Sequence, residues 1–359
     1  MEFWTDRKYY KNAHKITVES GLDLKIRKVV AGKLRRYTNF TFITYLQNFD
    51  VILKNIWDFF KTIFGIFQSF FRLLFHRPDV IFLKGGYVCL PVGIAAHWLR
   101  IPYVIHDSDA TPGLTNRVLS KHATKIATGM PLEYYHYPEE KAEWTGIPIS
   151  DDFKPVSESK QKALKKELGF DEKKPLVVVT GGSQGARHIN EALREVLPSL
   201  LKITSVLLIA GHERYPEMLD LKDYETWEEG ELQTNFRMIE FSAEIYKLFG
   251  AADVVVSRAG ASSMTELSAM AKAVVMVPNE KLPGYHQVKN AQAYERANAA
   301  VVVEDNKMHE DPELLAKAIK KLINDPEKRE EVAKNLKKFS KDNAAENLAN
   351  TIISVAKEK

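Results

Sequence analysis

The stretch that most constrains this chain is LVVVTGGSQGARHINEAL, residues 176–193. Val177 to Thr180 are β-branched throughout and read as a buried parallel strand. The strand breaks into Gly181-Gly182-Ser183-Gln184-Gly185, and from Ala186 the spacing is helical with no breaker. A strand, a glycine turn and a helix N-terminus together form an anion site: glycine lets the backbone come close, and the unpaired amides and dipole of the first helical turn favour phosphate. Any βα turn of an α/β protein uses the same glycines for geometry alone, so this stretch leaves both readings open. It is not the dinucleotide fingerprint GxGxxG, and it lacks the Lys-Ser/Thr of a P-loop. A phosphorylated ligand fits; NAD and ATP are not indicated.

Strands and helices alternate on both sides of this stretch. Upstream, Val80–Leu83, Tyr103–His106 and Lys125–Ala127 read as strands, with Gly85-Gly86 after the first and a helix over 91–99. Downstream, strands are expected at 177–180, 205–210, 236–239, 254–257, 274–277 and 300–303, and a lysine-rich helical part runs from Asp311 to Lys359. Residues 143–156 carry Pro and Gly without periodicity and read as a hinge. With 359 residues the chain has room for two cores. After the 254–257 strand comes a second glycine turn into a helix, Arg258-Ala259-Gly260-Ala261-Ser262-Ser263-Met264-Thr265-Glu266. Glu266 there is either a helix-dipole residue or a bidentate acceptor for two ribose hydroxyls. Asp107-Ser108-Asp109 matches a DxD metal motif in three letters only, with no second carboxylate or His cluster beside it, so no metal is expected.

Residues 40–75 are apolar but do not read as a transmembrane helix, because Asp50, Lys54, Asp58 and Lys61 interrupt them. At helical spacing Lys54, Asp58, Lys61, Gly65, Gln68 and Arg72 form one narrow polar stripe. Two readings stand: a core helix packed on a sheet, or a helix with a lipid-facing patch of Trp57, Phe64, Leu73 and Phe75 rimmed by Lys54, Lys61, Arg72 and Arg77. A net charge of +4 is too weak to argue for nucleic acid and is compatible with an anionic membrane surface. The single Cys89 excludes an intrachain disulfide and a multi-cysteine metal site, which makes a reducing cytoplasm the default. The first ten residues show no apolar signal-peptide core.

Taken together, KGGYVCLPVGIAA, IHDSDATPGLTNRVLSK, TGGSQGARHIN, ADVVVSRAGASSMTEL and HQVKNA resemble, in order, the motifs of the bacterial UDP-N-acetylglucosamine:lipid I N-acetylglucosaminyltransferases of glycosyltransferase family 28. The resemblance implies the GT-B fold, two Rossmann-like doubly wound domains facing a cleft: an acceptor and membrane domain over 1–149, a donor domain over 150–339, and a last helix, about 340–359, packing back on the first. It implies inverting transfer of N-acetylglucosamine from UDP-GlcNAc to the MurNAc 4-hydroxyl of undecaprenyl-linked lipid I in peptidoglycan synthesis. The enzyme would be peripheral, on the cytoplasmic face of an anionic membrane, with no cofactor beyond its donor. By motif position, Gly182, Ser183 and Gln184 would meet the diphosphate and Ala261 to Thr265 would supply amides. Glu266 would hold the ribose, Ser242 the uracil, and His286 and Gln287 the sugar hydroxyls. Asp109 and Ser150 stand where the family has donor-side Asn and Arg, and Gly85, Gly86, Tyr87, Thr115 and Asn116 would line the acceptor side.

The sequence also departs from that pattern. The family's opening strand and GxGGH-type loop, with the His that the resemblance implies as general base, have no counterpart before Glu2, so the first domain is expected to be incomplete and turnover poor. A late start codon or a truncation explains this better than lost catalysis, because a sheet without its central strand exposes unpaired edges. The catalytic base is therefore unassigned. His106 is the nearest candidate, although a His at a strand end more often anchors a loop. Two other readings stay open: a different lipid-acceptor GT-B glycosyltransferase, and a non-catalytic UDP-sugar-binding protein at the membrane. The sequence sets no oligomeric state.

Overall fold

The computed structural model describes residues 1–33, 49–225 and 234–358. It divides into two compact units, Met1–Thr145 with Ala345–Lys359, and Gly146–Ala344. Most of the basic segment at Gly32 to Tyr37, and residues 40–48 of the apolar stretch, lie outside the described residues.

The first unit runs β1 (Glu2–Thr5), α1 (Tyr10–Glu19), β2 (Lys25–Lys28), α2 (Phe49–Phe75), β3 (Ile81–Leu83), α3 (Cys89–Trp98), β4 (Tyr103–Asp107), α4 (Leu114–Leu119), β5 (Lys125–Thr128) and β6 (Ala142–Trp144). All pairings are parallel, but the strands fall into two sheets, β1 with β2 and β3-β4-β5-β6 in that order. Every residue of β4 is buried, as a parallel strand covered on both faces requires. Strand β6, paired to β5 from Ala142 opposite Ile126, occupies the start of the segment expected to be a hinge. Three residues are too few for periodicity to reveal.

Of the two readings of helix α2, the structure shows the one with an exposed aromatic face, except at Leu73. The helix's buried positions are Asp58, Thr62, Gly65, Ser69 and Leu73, so the polar stripe turns largely inward. Residues 30–32 explain why. The Val30 amide donates to Gln68 Oε1 at 2.9 Å and the Gly32 amide to Thr62 Oγ1 at 3.3 Å. A Cβ on Gly65 would stand 1.9 Å from the Val30 carbonyl oxygen. Backbone lying this close needs small residues and hydrogen-bond partners, which an apolar face cannot supply. Leu73, expected in the lipid-facing patch, is 2 % exposed and belongs to the core with Val29, Leu83, Val92 and Tyr103. Trp57, Phe64 and Phe75 are 64 %, 61 % and 78 % exposed, and Phe60, Phe67 and Phe71 are exposed with them.

The second unit runs α5 (Glu158–Glu167), β7 (Leu176–Thr180), α6 (Arg187–Leu200), β8 (Ser205–Ile209), β9 (Phe236–Ile239), α7 (Ile245–Ala251), β10 (Val254–Ser257), α8 (Ala261–Ala269), β11 (Ala273–Met276), α9 (His286–Arg296), β12 (Val301–Val302), α10 (Asp305–Glu310), α11 (Glu313–Asn324) and α12 (Pro326–Lys337). Its one six-stranded parallel sheet has the order β12-β11-β10-β7-β8-β9. Strands β7, β8, β10 and β11 are buried along their whole length. Ile189, Leu193, Val196, Leu197 and Leu200 of α6 and Leu315, Ile319 and Leu322 of α11 pack onto them. The chain leaves β7 toward β8 and β9, then returns on the other side as β10, so the order reverses between β7 and β10. Open α/β sheets bind ligands at that reversal.

Helix α13 (Ala344–Lys357) completes the first unit. Its Leu348 and Val355 bury against Val104 and Ala127, and Thr351 Oγ1 donates to Glu143 Oε2 at 2.9 Å.

Candidate functional site

The two glycine turns lie on neighbouring strands at the reversal and share one cavity of ≈ 570 Å³ within the second unit. Residues 181–188 form one wall; Ser257, Arg258, Gly260 and Ser263 form the other, with Asn279, Lys281 and Gln287 alongside. The first turn is tightly built. Gly185 has φ +82, and a Cβ on it would stand 2.1 Å from the Ala210 carbonyl oxygen. The Gly182 amide is taken by Thr180 Oγ1 at 3.2 Å and the Gly185 amide by the Gly182 carbonyl at 3.0 Å. Ser183 and Gln184 are exposed on this turn. Helix α6 follows, its N-cap Ala186 making no side-chain cap. The unpaired amides of its first turn therefore open toward the cavity.

Helix α8 is likewise uncapped by a side chain at Gly260. The available amides are fewer than expected. The Met264 amide already donates to the Gly260 carbonyl at 3.0 Å, and Thr265 lies one residue further into the ladder, so only Ala261, Ser262 and Ser263 precede the first intrahelical bond. The Met264 side chain is in the core, and Thr265 Oγ1 donates back to the Ala261 carbonyl at 2.9 Å. Glu266 is half-buried one turn into α8, and loss of solvent pushes its carboxyl up to about 7. Ionising a carboxyl in that setting is unfavourable until hydrogen-bond donors meet it. Gln287 accepts the Asn279 amide at 2.9 Å through Oε1, with Nε2 on the Gly260 side. His286 opens α9 beside it.

Arg187, Arg214, Arg258 and Lys281 line the cavity, giving it four cations that glycine-turn reasoning did not single out. Also missed was His212, whose ring stacks on the exposed Phe241 with centroids 4.9 Å apart, and whose Nδ1 lies 2.7 Å from Glu240 Oε1. This makes an aromatic ledge at the ends of β8 and β9. Ser242, next to it, uses its hydroxyl to accept the Glu244 amide at 3.1 Å. Ser150 is exposed and donates to Asp152 Oδ2 at 2.8 Å; it does not line the cavity. A separate hollow of ≈ 630 Å³ beside β12 has Val288, Ala291, Val301 and Leu314 in its wall.

In the first unit the strand-end residues are largely engaged with one another. His106 is 1 % exposed, with the edge of the Phe82 ring beside it. The imidazole is therefore an interior group and is not presented at the surface of the sheet. Asp107 accepts from Asn116 Nδ2 at 2.7 Å and from the Tyr137 hydroxyl, and burial raises its carboxyl above the ordinary range. Asn116, expected to line the acceptor side, is 2 % exposed and also donates to the His106 carbonyl at 2.9 Å. Its partners make it a loop anchor beneath Gly85, not an acceptor contact. The Tyr87 hydroxyl donates to Asp6, and burial followed by that bond raises its pKa. Gly86 and Thr115 remain accessible beside them. The Asp109 carbonyl accepts from the Tyr135 hydroxyl at 2.8 Å.

Comparison with known proteins adds to this geometry. Residues 13–128 match the N-terminal domain of glycosyltransferase family 28, and residues 176–348 match the C-terminal domain. A Lachnospira eligens protein named UDP-N-acetylglucosamine–N-acetylmuramyl-(pentapeptide) pyrophosphoryl-undecaprenol N-acetylglucosamine transferase is 32 % identical over 344 residues, 96 % of this chain and 88 % of its own. A Bacillus cereus protein of the same name, numbered 2, is 35 % identical over 277 residues, 77 % of this chain and 71 % of its own. Among solved structures, Acinetobacter baumannii MurG matches with a TM-score of 0.69 at 21 % identity, covering 95 % of this chain and 88 % of that one. A Neisseria meningitidis UDP-GlcNAc 2-epimerase bound to UDP-GlcNAc matches with a TM-score of 0.55 at 14 % identity, covering 98 % of each chain. At these identities the structures speak for the fold.

Proposed function

This chain belongs to glycosyltransferase family 28, and from that premise we propose that it transfers N-acetylglucosamine from UDP-GlcNAc to the MurNAc 4-hydroxyl of undecaprenyl-diphosphate-linked muramyl pentapeptide, turning lipid I into lipid II for peptidoglycan. The names of its relatives in Lachnospira and Bacillus support that donor and acceptor. The observation that carries the reading is the pair of uncapped helix starts meeting at the strand reversal, with four cations around them.

An inverting transfer is one displacement: the acceptor hydroxyl loses its proton as it attacks the anomeric carbon, and UDP leaves with growing negative charge. The amides at the starts of α6 and α8, with Arg187, Arg214, Arg258 and Lys281, are placed to take that charge on the protein itself. Glu266 accepts from the two ribose hydroxyls, a contact that repays its desolvation. The ledge of Phe241 and His212 suits the flat face of a uracil, beside the Ser242 backbone. Gln287 and His286 stand at the start of α9 for the sugar hydroxyls.

The outer face of α2 supports a peripheral place on an anionic membrane. An aromatic face of this size, with Lys54 and Lys61 beside it and Lys61 Nζ 5.8 Å from the centre of the Trp57 ring, combines apolar insertion with charge. Arg72 is committed elsewhere, donating to the Lys28 carbonyl and lying over Trp4. Among the described residues no helix is long and apolar enough to cross a membrane. The reading places the enzyme on the cytoplasmic face, where nucleotide sugars are found.

The test is transfer of labelled sugar from UDP-GlcNAc in vesicles carrying either lipid I or a glycerolipid acceptor. Label appearing on the muramyl lipid alone is expected. Label on the glycerolipid alone would make this a glycolipid synthase. Hydrolysis-free binding without transfer to either lipid would make it a UDP-sugar-binding protein.

A further inference from the structure

Asp305 opens α10, just beyond the edge strand β12, and takes no part in the donor contacts assigned above. Its carboxylate is 3 % exposed and divides its two oxygens. Oδ1 accepts from Arg258 Nη1 at 2.6 Å, and Oδ2 lies 2.9 Å from His188 Nδ1. Arg258 is the first residue after β10, and Nη1 also donates to the carbonyl of Val277, just past β11, at 3.2 Å. His188 sits in the first turn of α6, which follows β7, and its ring stacks on His309 with centroids 4.3 Å apart. One buried carboxylate thus ties together the loops at the carboxyl ends of β7, β10, β11 and β12. Asp305, Arg258 and His188 all border the same cavity.

We propose that Asp305 is a positioning residue for the diphosphate of the donor, holding Arg258 and the start of α6 at the fixed separation that the two phosphates require. This rests on the donor-site reading above. A guanidinium carries five N–H donors in a rigid fork, and the contacts to Asp305 and Val277 hold Nη1 while the group still borders the cavity. An Arg so held keeps its full charge and loses little freedom when an anion arrives, which is how a preorganised fork differs from a mobile surface cation. Asp305 acts through Arg258 and need not touch the ligand. Its negative charge works against an anion, so its value lies in orientation.

The test compares UDP with uridine, which shares the base and ribose but lacks the diphosphate. Binding is measured on the full chain by calorimetry for UDP and by ligand-observed NMR for uridine. Asp305→Ala is expected to weaken UDP about tenfold or more, the size of a lost hydrogen bond to a charged group, and to leave uridine unchanged. Asp305→Asn, which keeps an acceptor for Arg258, is expected to recover part of the loss. In an Arg258→Ala background, Asp305→Ala is expected to have a much smaller effect on UDP, limited to what runs through His188 and the start of α6. Equal weakening of UDP and uridine would make Asp305 merely structural and overturn the proposal, as would unchanged or tighter UDP binding by Asp305→Ala. Wild-type chain that binds no UDP would instead overturn the donor-site reading, and the proposal with it.

Discussion

Helices α2 and α6 each separate an apolar from a polar face, and they use those faces in opposite ways. Helix α6 turns Ile189, Leu193, Val196, Leu197 and Leu200 into the core of the second unit. Helix α2 turns Asp58, Thr62, Gly65 and Ser69 toward the protein and presents Trp57, Phe60, Phe64, Phe67 and Phe71 outward. Amphipathic spacing establishes that two faces exist, and the neighbour decides which is buried. Next to α6 is a paired sheet that offers mostly apolar side chains, with the Ala210 carbonyl met by Asn190 Nδ2. Next to α2 is the backbone of residues 30–32, which needs acceptors and room. The aromatic face of α2 is therefore left exposed.

The largest effect that tests this contrast is on stability. Leu197→Ala should cost the second unit about 2–5 kcal/mol in urea unfolding, as for a fully buried leucine. Phe67→Ala on α2 should stay within about 0.5 kcal/mol. Equal losses would mean that the outer face of α2 is core. Next in size is membrane association. Trp57→Ser together with Phe64→Ser should reduce binding to anionic vesicles by roughly tenfold or more, since each large apolar side chain contributes about 1.5–3 kcal/mol when buried. The melting temperature should not move. Aggregation or melting of the double variant would show that those rings are needed for the fold.

The smallest effect contrasts the half-buried carboxyl of α8 with its solvated counterparts. The Glu266 carboxyl is raised from 4.5 to about 7, so the folded chain holds its proton longer than the unfolded chain. That contribution to stability is fully present below about pH 4.5 and is lost as pH rises through about 7. Glu266→Gln, neutral throughout, should flatten this part of the pH–stability curve without UDP. Parallel curves for the two proteins would show that the carboxyl is not desolvated.

The donor unit was largely legible in the sequence because its signals are local. Val177 to Thr180 form one buried run, and the glycines of 181–185 sit where a strand must turn into a helix. The parts missed depend on distant partners. Asp305 meets His188 across 117 positions and Arg258 across 47, and nothing in the letters around it marks a clamp. In the first unit, His106 and Asn116 look like ligand residues at the sheet's carboxyl edge, but a parallel strand covered on both faces hides His106, and Asn116 on α4 is committed to the His106 carbonyl and the Asp107 carboxylate. Leu73 was misplaced because the apolar positions of α2 cover most of its circumference, and only the strap at 30–32 reveals the inner side. Strand β6 is too short to show any period.

The most direct measurement is calorimetric titration of the full chain with UDP, wild type beside Glu266→Ala. The expected result is saturable binding by the wild type, weakened by roughly 1.5–3 kcal/mol in the variant, the range for hydrogen bonds to a charged group, with the melting temperature unchanged. Equal affinity in the two proteins would contradict a ribose contact at Glu266 and leave that carboxylate as a helix-dipole residue of α8.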